Sequence, residues 1–92
     1  MEIQINHDLR GQEFTIMLNG DTAELSYALP AGNVIEFQHT YVPQSFQGRG
    51  IGSKLIAHGL QYARQQNLKV VASCEAVESY LEKNPLEKDL LL

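Results

Sequence analysis

A glycine-rich stretch, residues 47–54, constrains this chain more than any other segment, and it reads Gln-Gly-Arg-Gly-Ile-Gly-Ser-Lys. Three glycines at alternate positions allow the backbone to adopt positive φ angles. A strand-like pattern, residues 34–42, precedes the stretch, and a helical pattern, residues 53–66, follows it. This order directs free backbone N–H groups and the positive end of a helix dipole at one anion. Since both charged residues of the stretch, Arg49 and Lys54, are positive, we expect a phosphate-bearing ligand.

The spacing of these glycines distinguishes between the known phosphate-binding loops. It fits neither a Walker A loop nor a dinucleotide fingerprint, which also needs an acidic residue about 20 positions later; residues 69–74 contain no acid. The segment from Gln47 to Gly52 reads Gln-x-x-Gly-x-Gly. It resembles the acetyl-CoA pyrophosphate loop of the GNAT superfamily of N-acetyltransferases. The alternative is a tight turn that binds nothing.

The resemblance extends beyond the loop, to residues 35–43 before it and to residues 70–74 and 80–85 after its helix. Together these segments resemble the short, single-domain GNAT-like N-acetyltransferases, which carry a His before the loop and a Cys after the next strand. The match covers residues 34–85, whereas the N-terminal half agrees only in its strand layout. The resemblance implies a protein that binds acetyl-CoA, needs no metal, and transfers the acetyl group to an unidentified amine, either a small molecule or a protein.

The N-terminal half predicts antiparallel strands, because apolar and polar residues alternate there. Residues 1–7 show a weak edge-strand alternation. The dipeptide Asn19-Gly20 predicts a type I′ hairpin turn, in which both central residues need positive φ. The strand that follows this turn should break at residues 30–33, Pro-Ala-Gly-Asn, which predict a second hairpin turn.

The C-terminal half predicts a β-α-β unit. Residues 68–72 form a short apolar run after the helix, typical of a buried strand parallel to the preceding one. Residues 75–84 predict a final helix with Ala76, Val77, Tyr80 and Leu81 on one face. The predicted fold class is α+β (α/β), a minimal GNAT-like fold. It combines a mostly antiparallel N-terminal sheet, parallel splayed strands around a helix, and a C-terminal helix.

Length and composition predict a single domain over residues 1–92. We expect residues 86–92 to be a loose tail, although the leucines at 90–92 could dock on an apolar surface or a second subunit. The expected oligomeric state is a monomer or a weak homodimer. No apolar run reaches the roughly 18 residues of a membrane span. One cysteine, and an acidic N-terminus without a signal-peptide hydrophobic region, favour a cytoplasmic protein.

The charge distribution narrows the class of ligand. A net charge of -4 argues against a nucleic-acid partner. Residues 37–74 contain no Asp or Glu, but they contain Arg49, Lys54, Arg64 and Lys69. This acid-free half should attract a polyanionic small molecule.

The resemblance assigns acetyl-CoA to the loop and to the end of the preceding strand. In GNAT proteins the exposed backbone of that strand pairs with the pantetheine arm. The expected cofactor-binding residues are therefore Thr40, Tyr41, Val42, Gln47, Gly48, Arg49, Gly50, Ile51, Gly52, Ser53 and Lys54.

Three side chains are candidates for catalysis, because acetyl transfer needs a polarised carbonyl, a base for the amine and a proton donor for the thiolate. Alternation places His39 on a strand face with Ile35 and Phe37, and no acid lies on that face. His39 is therefore a candidate base for the amine, with a core histidine as the alternative. The resemblance suggests Tyr80 as the proton donor, with a core aromatic as the alternative. Cys74 could line the site, pack as a buried hydrophobe, or take the acetyl group itself.

Three functions are consistent with these features. The leading hypothesis is an acetyl-CoA-dependent N-acetyltransferase with an open acceptor cleft, because a hairpin stands where larger GNAT domains place two early helices. The second is a non-catalytic module that binds acetyl-CoA or CoA and acts through protein partners. The third is a phosphate- or nucleotide-binding protein.

Overall fold

The computed structural model describes residues 3–92, so the strand pattern expected for residues 1–7 lies partly outside the described residues. Within this range the chain forms one sheet, two α-helices and two short 3-10 helices. The elements are, in order, β1 (Ile5–Asp8), β2 (Glu13–Leu18), β3 (Asp21–Ala31), β4 (Val34–Tyr41), a 3-10 helix (Gln44–Phe46), α1 (Ile51–Gln65), β5 (Lys69–Ala72), α2 (Glu75–Lys83) and a second 3-10 helix (Pro85–Leu90).

The sheet has the order β1-β2-β3-β4-β5, so each strand pairs with the next strand of the chain. The first four strands pair antiparallel, whereas β4 and β5 pair parallel and are joined through α1. A parallel pair requires such a crossover because the chain must return to the same end of the sheet. The predicted α+β fold is therefore confirmed. Within residues 3–92, no helix has the length and apolar character needed to cross a bilayer.

Both predicted hairpin turns are present, and in the second Ala31 pairs with Val34 around Gly32 and Asn33. Asn19 has a φ of 53° and Gly20 a φ of 83°, as the type I′ prediction requires. The prediction that the strand breaks at Pro30 is wrong, because β3 continues through Ala31. The pairing between β3 and β4 shifts register between Ala28 and Ala31. Pro30, which has no N–H group to donate to the ladder, lies within this irregularity.

The sheet has one covered face and one open face. The covered face carries the buried residues of β2 and β3, which lie against α1. The strand residues between them stay at least partly exposed, and we call the face that they form the open face. On β2 and β3 it includes Glu13, Thr15, Met17, Thr22, Glu24 and Ser26.

Helix α1 packs on the covered face through an apolar stripe that includes Leu55, Leu60 and Ala63. A Cβ atom built on Gly59 would lie 2.9 Å from Cε1 of Phe37 and 3.0 Å from Cδ2 of Leu25. Only a residue without a side chain fits this approach, which explains a glycine in the middle of a helix despite its low helix propensity. The helix begins at Ile51 rather than at the predicted Ser53.

The C-terminal segment is not the loose tail that we expected. Leu90 is buried in the core, and Leu91 forms a parallel bridge with Val70 of β5. The N–H of Leu92 donates to the carbonyl of Val70 at 3.0 Å. The docking alternative is therefore correct, and the surface that receives the leucine segment belongs to this chain.

Charged groups hold the same segment against α1. Arg64 donates to both carboxylate oxygens of Asp89, at 2.9 Å each, and lies 3.2 Å from Glu87. The hydrogen bonds from Arg64 lower the pKa of Asp89 and raise the pKa of Arg64 itself. Lys69 donates to the backbone carbonyl of Asp89 at 3.0 Å. Two of the four cations in the acid-free half are thus engaged by the end of the chain.

An aromatic cluster joins β1 to the rest of the covered face. The ring of His7 stacks on Phe14 with centroids 4.1 Å apart, and its Nε2 shares a hydrogen bond of 2.7 Å with the hydroxyl of Tyr27. Tyr62 of α1 meets His7 edge-on, with centroids 4.6 Å apart. Tyr62 therefore packs in this aromatic cluster.

We expect the C-terminal segment to contribute directly to global stability. Leu90 is 6% exposed, so Leu90→Ala should lower the free energy of unfolding by roughly 2–3 kcal/mol, measured by urea denaturation. Leu86 lies in the same segment but is 91% exposed, so Leu86→Ala should change it by less than about 0.5 kcal/mol. Equal effects of the two substitutions would show that the segment does not pack as described.

Acidification should destabilise the fold through His7. Burial, followed by the nearby His58, lowers the pKa of His7, and Asp8 opposes this shift. Between the ordinary pKa of 6.5 and the lower folded value, the unfolded chain binds a proton that the folded chain does not. The free energy of unfolding should therefore fall as the pH falls through this window.

Urea denaturation at about pH 7.5 and about pH 5.5 measures this loss, since the window lies within the range in which histidines titrate. The variant His7→Gln should reduce the loss. The variant His39→Gln alters an exposed imidazole and should leave the loss unchanged. A full loss in His7→Gln would assign the pH dependence to other groups.

Candidate functional site

The glycine-rich loop leads directly into the first turn of α1. Gly48 has a φ of 83° and Gly50, the N-cap residue, a φ of 71°, so both adopt the left-handed conformation. The N–H of Lys54 donates to the carbonyl of Gly50 at 3.0 Å and makes the first hydrogen bond of the helix. The N–H groups of residues 51–53 precede that bond and point out of the helix N-terminus. An anion at this position would meet these donors and the positive end of the helix dipole.

A cleft of about 710 Å³ lies beside this helix N-terminus, between the end of β4, α1 and α2. Its volume falls within the range of about 300–1,000 Å³ that is typical of small-molecule sites. The cleft is lined by Thr40, Val42, Gln47, Gly52, Ser53, Ile56, Ala76, Ser79, Tyr80, Lys83 and Asn84.

The two parallel strands separate at the edge of this cleft. Their last paired residues are Phe37 and Ala72, and one further hydrogen bond joins the N–H of Ser73 to the carbonyl of Phe37 at 3.0 Å. β4 continues to Tyr41, paired with β3 alone in the described part of the chain. The predicted splay of the strands is confirmed, and it leaves backbone groups of residues 38–41 facing a gap instead of a neighbouring strand.

A β-bulge in β4 changes which side chains face the cleft. Ser26 and Tyr27 are adjacent on β3 but oppose His39 and Phe37, so Gln38 is an extra residue. An extra residue reverses the alternation of side chains beyond it. His39 therefore lies on the open face and is exposed, and its predicted position on the face of Phe37 is wrong.

The same bulge sends Thr40 toward the cleft, because Thr40 opposes the buried Leu25 on β3. The hydroxyl of Thr40 lies 3.1 Å from the sulfur of Cys74, within hydrogen-bond distance. Cys74 is half-buried at the N-cap of α2 and packs against the core. The structure thus pairs Cys74 with Thr40 and places His39 on the opposite face of the sheet, away from Cys74.

Helix α2 supplies one wall of the cleft. Tyr80 lies in this wall. The sequence predicts Ala76 on the buried face of Val77 and Leu81, and this prediction is wrong, because Ala76 is exposed to the cleft. Three further lining residues of the helix and its C-cap, Ser79, Lys83 and Asn84, were not predicted from the sequence. With Ala76 and Tyr80 these positions follow the spacing i, i+3, i+4, i+7 and i+8, a helical stripe that could have identified them.

The two cations of the loop occupy different surroundings. Lys54 does not line the cleft at the helix N-terminus; it lines a separate, smaller cleft with Ile3, Ile5 and His58. Arg49 is exposed in the loop, and no ion pair involves it among residues 3–92. The side chain of Ile51 is buried, so only its backbone is available to a ligand. Across the described residues, no group of three or more His, Cys, Asp or Glu side chains is arranged to hold a metal ion.

Comparison with known proteins identifies the family of this chain. The family model for GCN5-related N-acetyl-transferases matches residues 13–90, which include the loop, the cleft and both diverging strands. The chain belongs to the GCN5-related N-acetyltransferase family. The membership predicted from the glycine-rich loop is confirmed.

Several known proteins match over nearly the whole chain. Protein NATD1 of Gallus gallus and protein NATD1 of Homo sapiens are each 36% identical over 90 residues. These matches cover 96% of this chain, and 82% and 80% of the two relatives. A GCN5-like protein from Staphylococcus aureus, solved by NMR, superposes with a TM-score of 0.76 at 33% identity. That alignment covers 97% of this chain and 87% of the other.

The conformation of Gly50 in this GCN5-related loop can be tested directly. A left-handed residue with a side chain costs roughly 1–2 kcal/mol, so Gly50→Ala should lower the free energy of unfolding by about 1 kcal/mol. Gly32→Ala is the matched control, because Gly32 also lies in a turn but has no positive φ, and an added Cβ atom would meet no other atom within 4 Å. Urea denaturation of both variants measures the difference, and equal stability would exclude a left-handed Gly50.

Proposed function

We propose that this protein binds acetyl-CoA in the cleft beside α1 and transfers the acetyl group to an amine. The observation that carries the proposal is that one cleft connects the free N-terminus of α1 with the gap between β4 and β5. A ligand with a phosphate group at one end and an extended amide-containing arm at the other would use both features. Acetyl-CoA is such a ligand.

The phosphate end of acetyl-CoA would lie at the loop. The backbone N–H groups of residues 51–53 precede the first helical hydrogen bond and would serve as donors to a pyrophosphate. Arg49 would add a positive charge from the exposed loop. Lys54 faces another cleft, so we assign it at most a contribution through the electrostatic field.

The pantetheine arm would lie along the free edge of β4. An extended chain with amide groups can add to an exposed strand edge through backbone hydrogen bonds. Residues 38–41 offer such an edge, because β5 has already separated from β4 at Phe37. The thioester would then reach the gap between the strands, where a free backbone N–H group would polarise its carbonyl oxygen.

The catalytic side chains would act from two sides of the sheet. Tyr80 lines the cleft and would give a proton to the departing thiolate. His39, exposed on the open face near the end of β4, would accept a proton from the amine. Cys74 is paired with Thr40 and does not line the cleft, so we place it in support of the site and not as a nucleophile.

A second candidate function is a non-catalytic acetyl-CoA-binding module that acts through protein partners. The observation that favours it is the separation of His39 from Cys74 by the sheet, which leaves the cleft with Tyr80 as its one predicted catalytic side chain. For either function we propose a cytoplasmic protein, since its single cysteine suits a reducing compartment.

A backbone-amide NMR titration with acetyl-CoA tests the binding proposal. Amide shifts should appear together in residues 40–42, 48–53 and 76–84, because these segments surround one cleft. ADP should shift the loop alone. Equal shifts with ADP and acetyl-CoA would support a generic phosphate-binding protein, and no shift at millimolar acetyl-CoA would exclude the proposal.

Turnover with a panel of amines separates the enzyme from the binding module. Tyr80→Phe removes one hydroxyl and keeps the ring, so acetyl-CoA affinity should stay within about twofold while the rate of transfer falls at least about tenfold. Tyr62→Phe is the control, because Tyr62 packs in the aromatic cluster away from the cleft. Saturable acetyl-CoA binding without transfer to any amine would favour the module.

A further inference from the structure

Residues 43–50, which connect β4 to α1 and which we call the loop segment, form a series of tight turns. The N–H groups of Phe46, Gln47 and Arg49 each donate to the carbonyl three residues earlier, at 2.9, 3.2 and 3.3 Å. These bonds shape the individual turns, but none of them joins the loop segment to the sheet. Its position relative to the sheet must therefore be set by side chains.

The first half of the loop segment is attached to the protein, whereas residues 47–50 are all exposed. Pro43 and Phe46 are buried. Between them, the hydroxyl of Ser45 donates to a carboxylate oxygen of Asp21 at 2.7 Å. In the described part of the chain, no other side-chain hydrogen bond involves the loop segment. The Ser45–Asp21 bond is thus the last directional attachment before the exposed glycines.

Asp21 provides this attachment from a well-ordered part of the sheet. It is the first residue of β3 and pairs with Leu18 across the Asn19-Gly20 turn. The φ angles of that turn are those of a regular two-residue hairpin, so the backbone of Asp21 has a defined position. None of the ion pairs described within residues 3–92 involves Asp21, so no cation competes there with the hydroxyl of Ser45 for its carboxylate.

The exposed glycines depend on the two ends of the loop for their order. A Cβ atom built on Gly48 or Gly50 would meet no other atom within 4 Å, so packing does not hold these positions. One end of the loop is the first turn of α1, and the other end is fixed through Ser45. Ser45 and Asp21 do not line the cleft, but Gln47, two residues after Ser45, does. A mobile loop would bind a ligand less tightly, because binding would then have to order it.

We infer that Ser45 and Asp21 are positioning residues, whose hydrogen bond orders the glycine-rich loop in the conformation that presents its N–H groups to a pyrophosphate. The inference rests on the proposed function, and it adds two residues that would control donor affinity without touching the donor. The loop would contact the pyrophosphate and not the thioester. Loss of the hydrogen bond should therefore weaken the binding of ADP and raise the KM for acetyl-CoA, and it should leave kcat unchanged.

Titrations with ADP and with acetyl-CoA, followed by NMR, test the role of the Ser45 hydroxyl. Ser45→Ala removes the donor without changing any charge. It should weaken the binding of both ligands by roughly fivefold, within the range expected for the net contribution of one hydrogen bond. Ser45→Thr keeps a hydroxyl and should restore the affinity to within about twofold of wild type. Where an amine is acetylated, Ser45→Ala should raise the acetyl-CoA KM by a similar factor and keep kcat within about twofold.

Two substitutions of Asp21 separate its hydrogen bond from its charge. Loss of a negative charge near an anion site should by itself strengthen ADP binding. Asp21→Asn removes the charge but keeps an acceptor oxygen, so its ADP affinity should equal or exceed that of wild type. Asp21→Ala removes both and should bind ADP more weakly than wild type. Tighter ADP binding by Asp21→Ala would show that only the charge matters and would overturn the inference.

Asp8→Ala is the matched control for Asp21→Ala. Asp8 is also an exposed aspartate at a turn of the sheet, but it accepts hydrogen bonds from the N–H groups of Arg10 and Gly11 within its own turn. It should change ADP affinity by less than about twofold, as expected for an exposed charge at a distance. An equal loss in Asp8→Ala and Asp21→Ala would contradict a specific role for the bond to Ser45.

Backbone NMR relaxation of the ligand-free protein distinguishes this inference from the proposed function. Ser45→Ala should lower the order parameters of residues 47–50 and leave those of α1 unchanged. Unchanged order in the loop, or a fall throughout the chain, would overturn the inference. If acetyl-CoA does not bind to wild type, the proposed function fails, and the relaxation data still decide whether the hydrogen bond orders the loop. If acetyl-CoA binds equally to wild type and Ser45→Ala, the inference fails alone.

Discussion

The end of the β4–β5 ladder at Phe37 is the constraint on which the site depends. Up to that residue the two strands satisfy each other's backbone groups, and beyond it β4 continues with β3 as its one neighbour in the described chain. Free backbone groups at the edge of a sheet are costly unless a ligand, water or another segment satisfies them. The bulge at Gln38 comes immediately after the last pair. It makes the two faces of the gap chemically different, with Thr40 on one side and His39 on the other.

Sequence patterns predict the parts of this fold that depend on local chemistry. The Asn19-Gly20 turn, the apolar stripe of α1 and the glycine-rich helix start each follow from a few adjacent residues, and all three are present. The bulge has no local signal, because it is a property of the register between two strands. Because of this one extra residue, alternation in the sequence predicts the wrong face for His39. It also does not reveal that Glu36 lies on the same face as His39.

The charge pattern of the sequence is also only partly preserved in space. Residues 37–74 contain no acid, yet the fold brings Asp89 onto Arg64 and Lys69 from the end of the chain. Such long-range pairing cannot be predicted from composition, since it requires the position of a segment that has no strong periodicity. Lys83 of α2 faces the cleft, so part of the positive charge near the site comes from outside the acid-free half.

The docked C-terminal segment has a consequence for the solubility of the chain. β5 is the last strand of the sheet, and an unprotected last strand is a template for pairing with other molecules. The bridge between Leu91 and Val70 covers part of that edge with the protein's own backbone. The segment thus blocks part of the β5 edge from pairing with other molecules. The Arg64–Asp89 pair helps to hold it there, so a charge interaction far from the cleft also helps to keep that edge closed to other molecules.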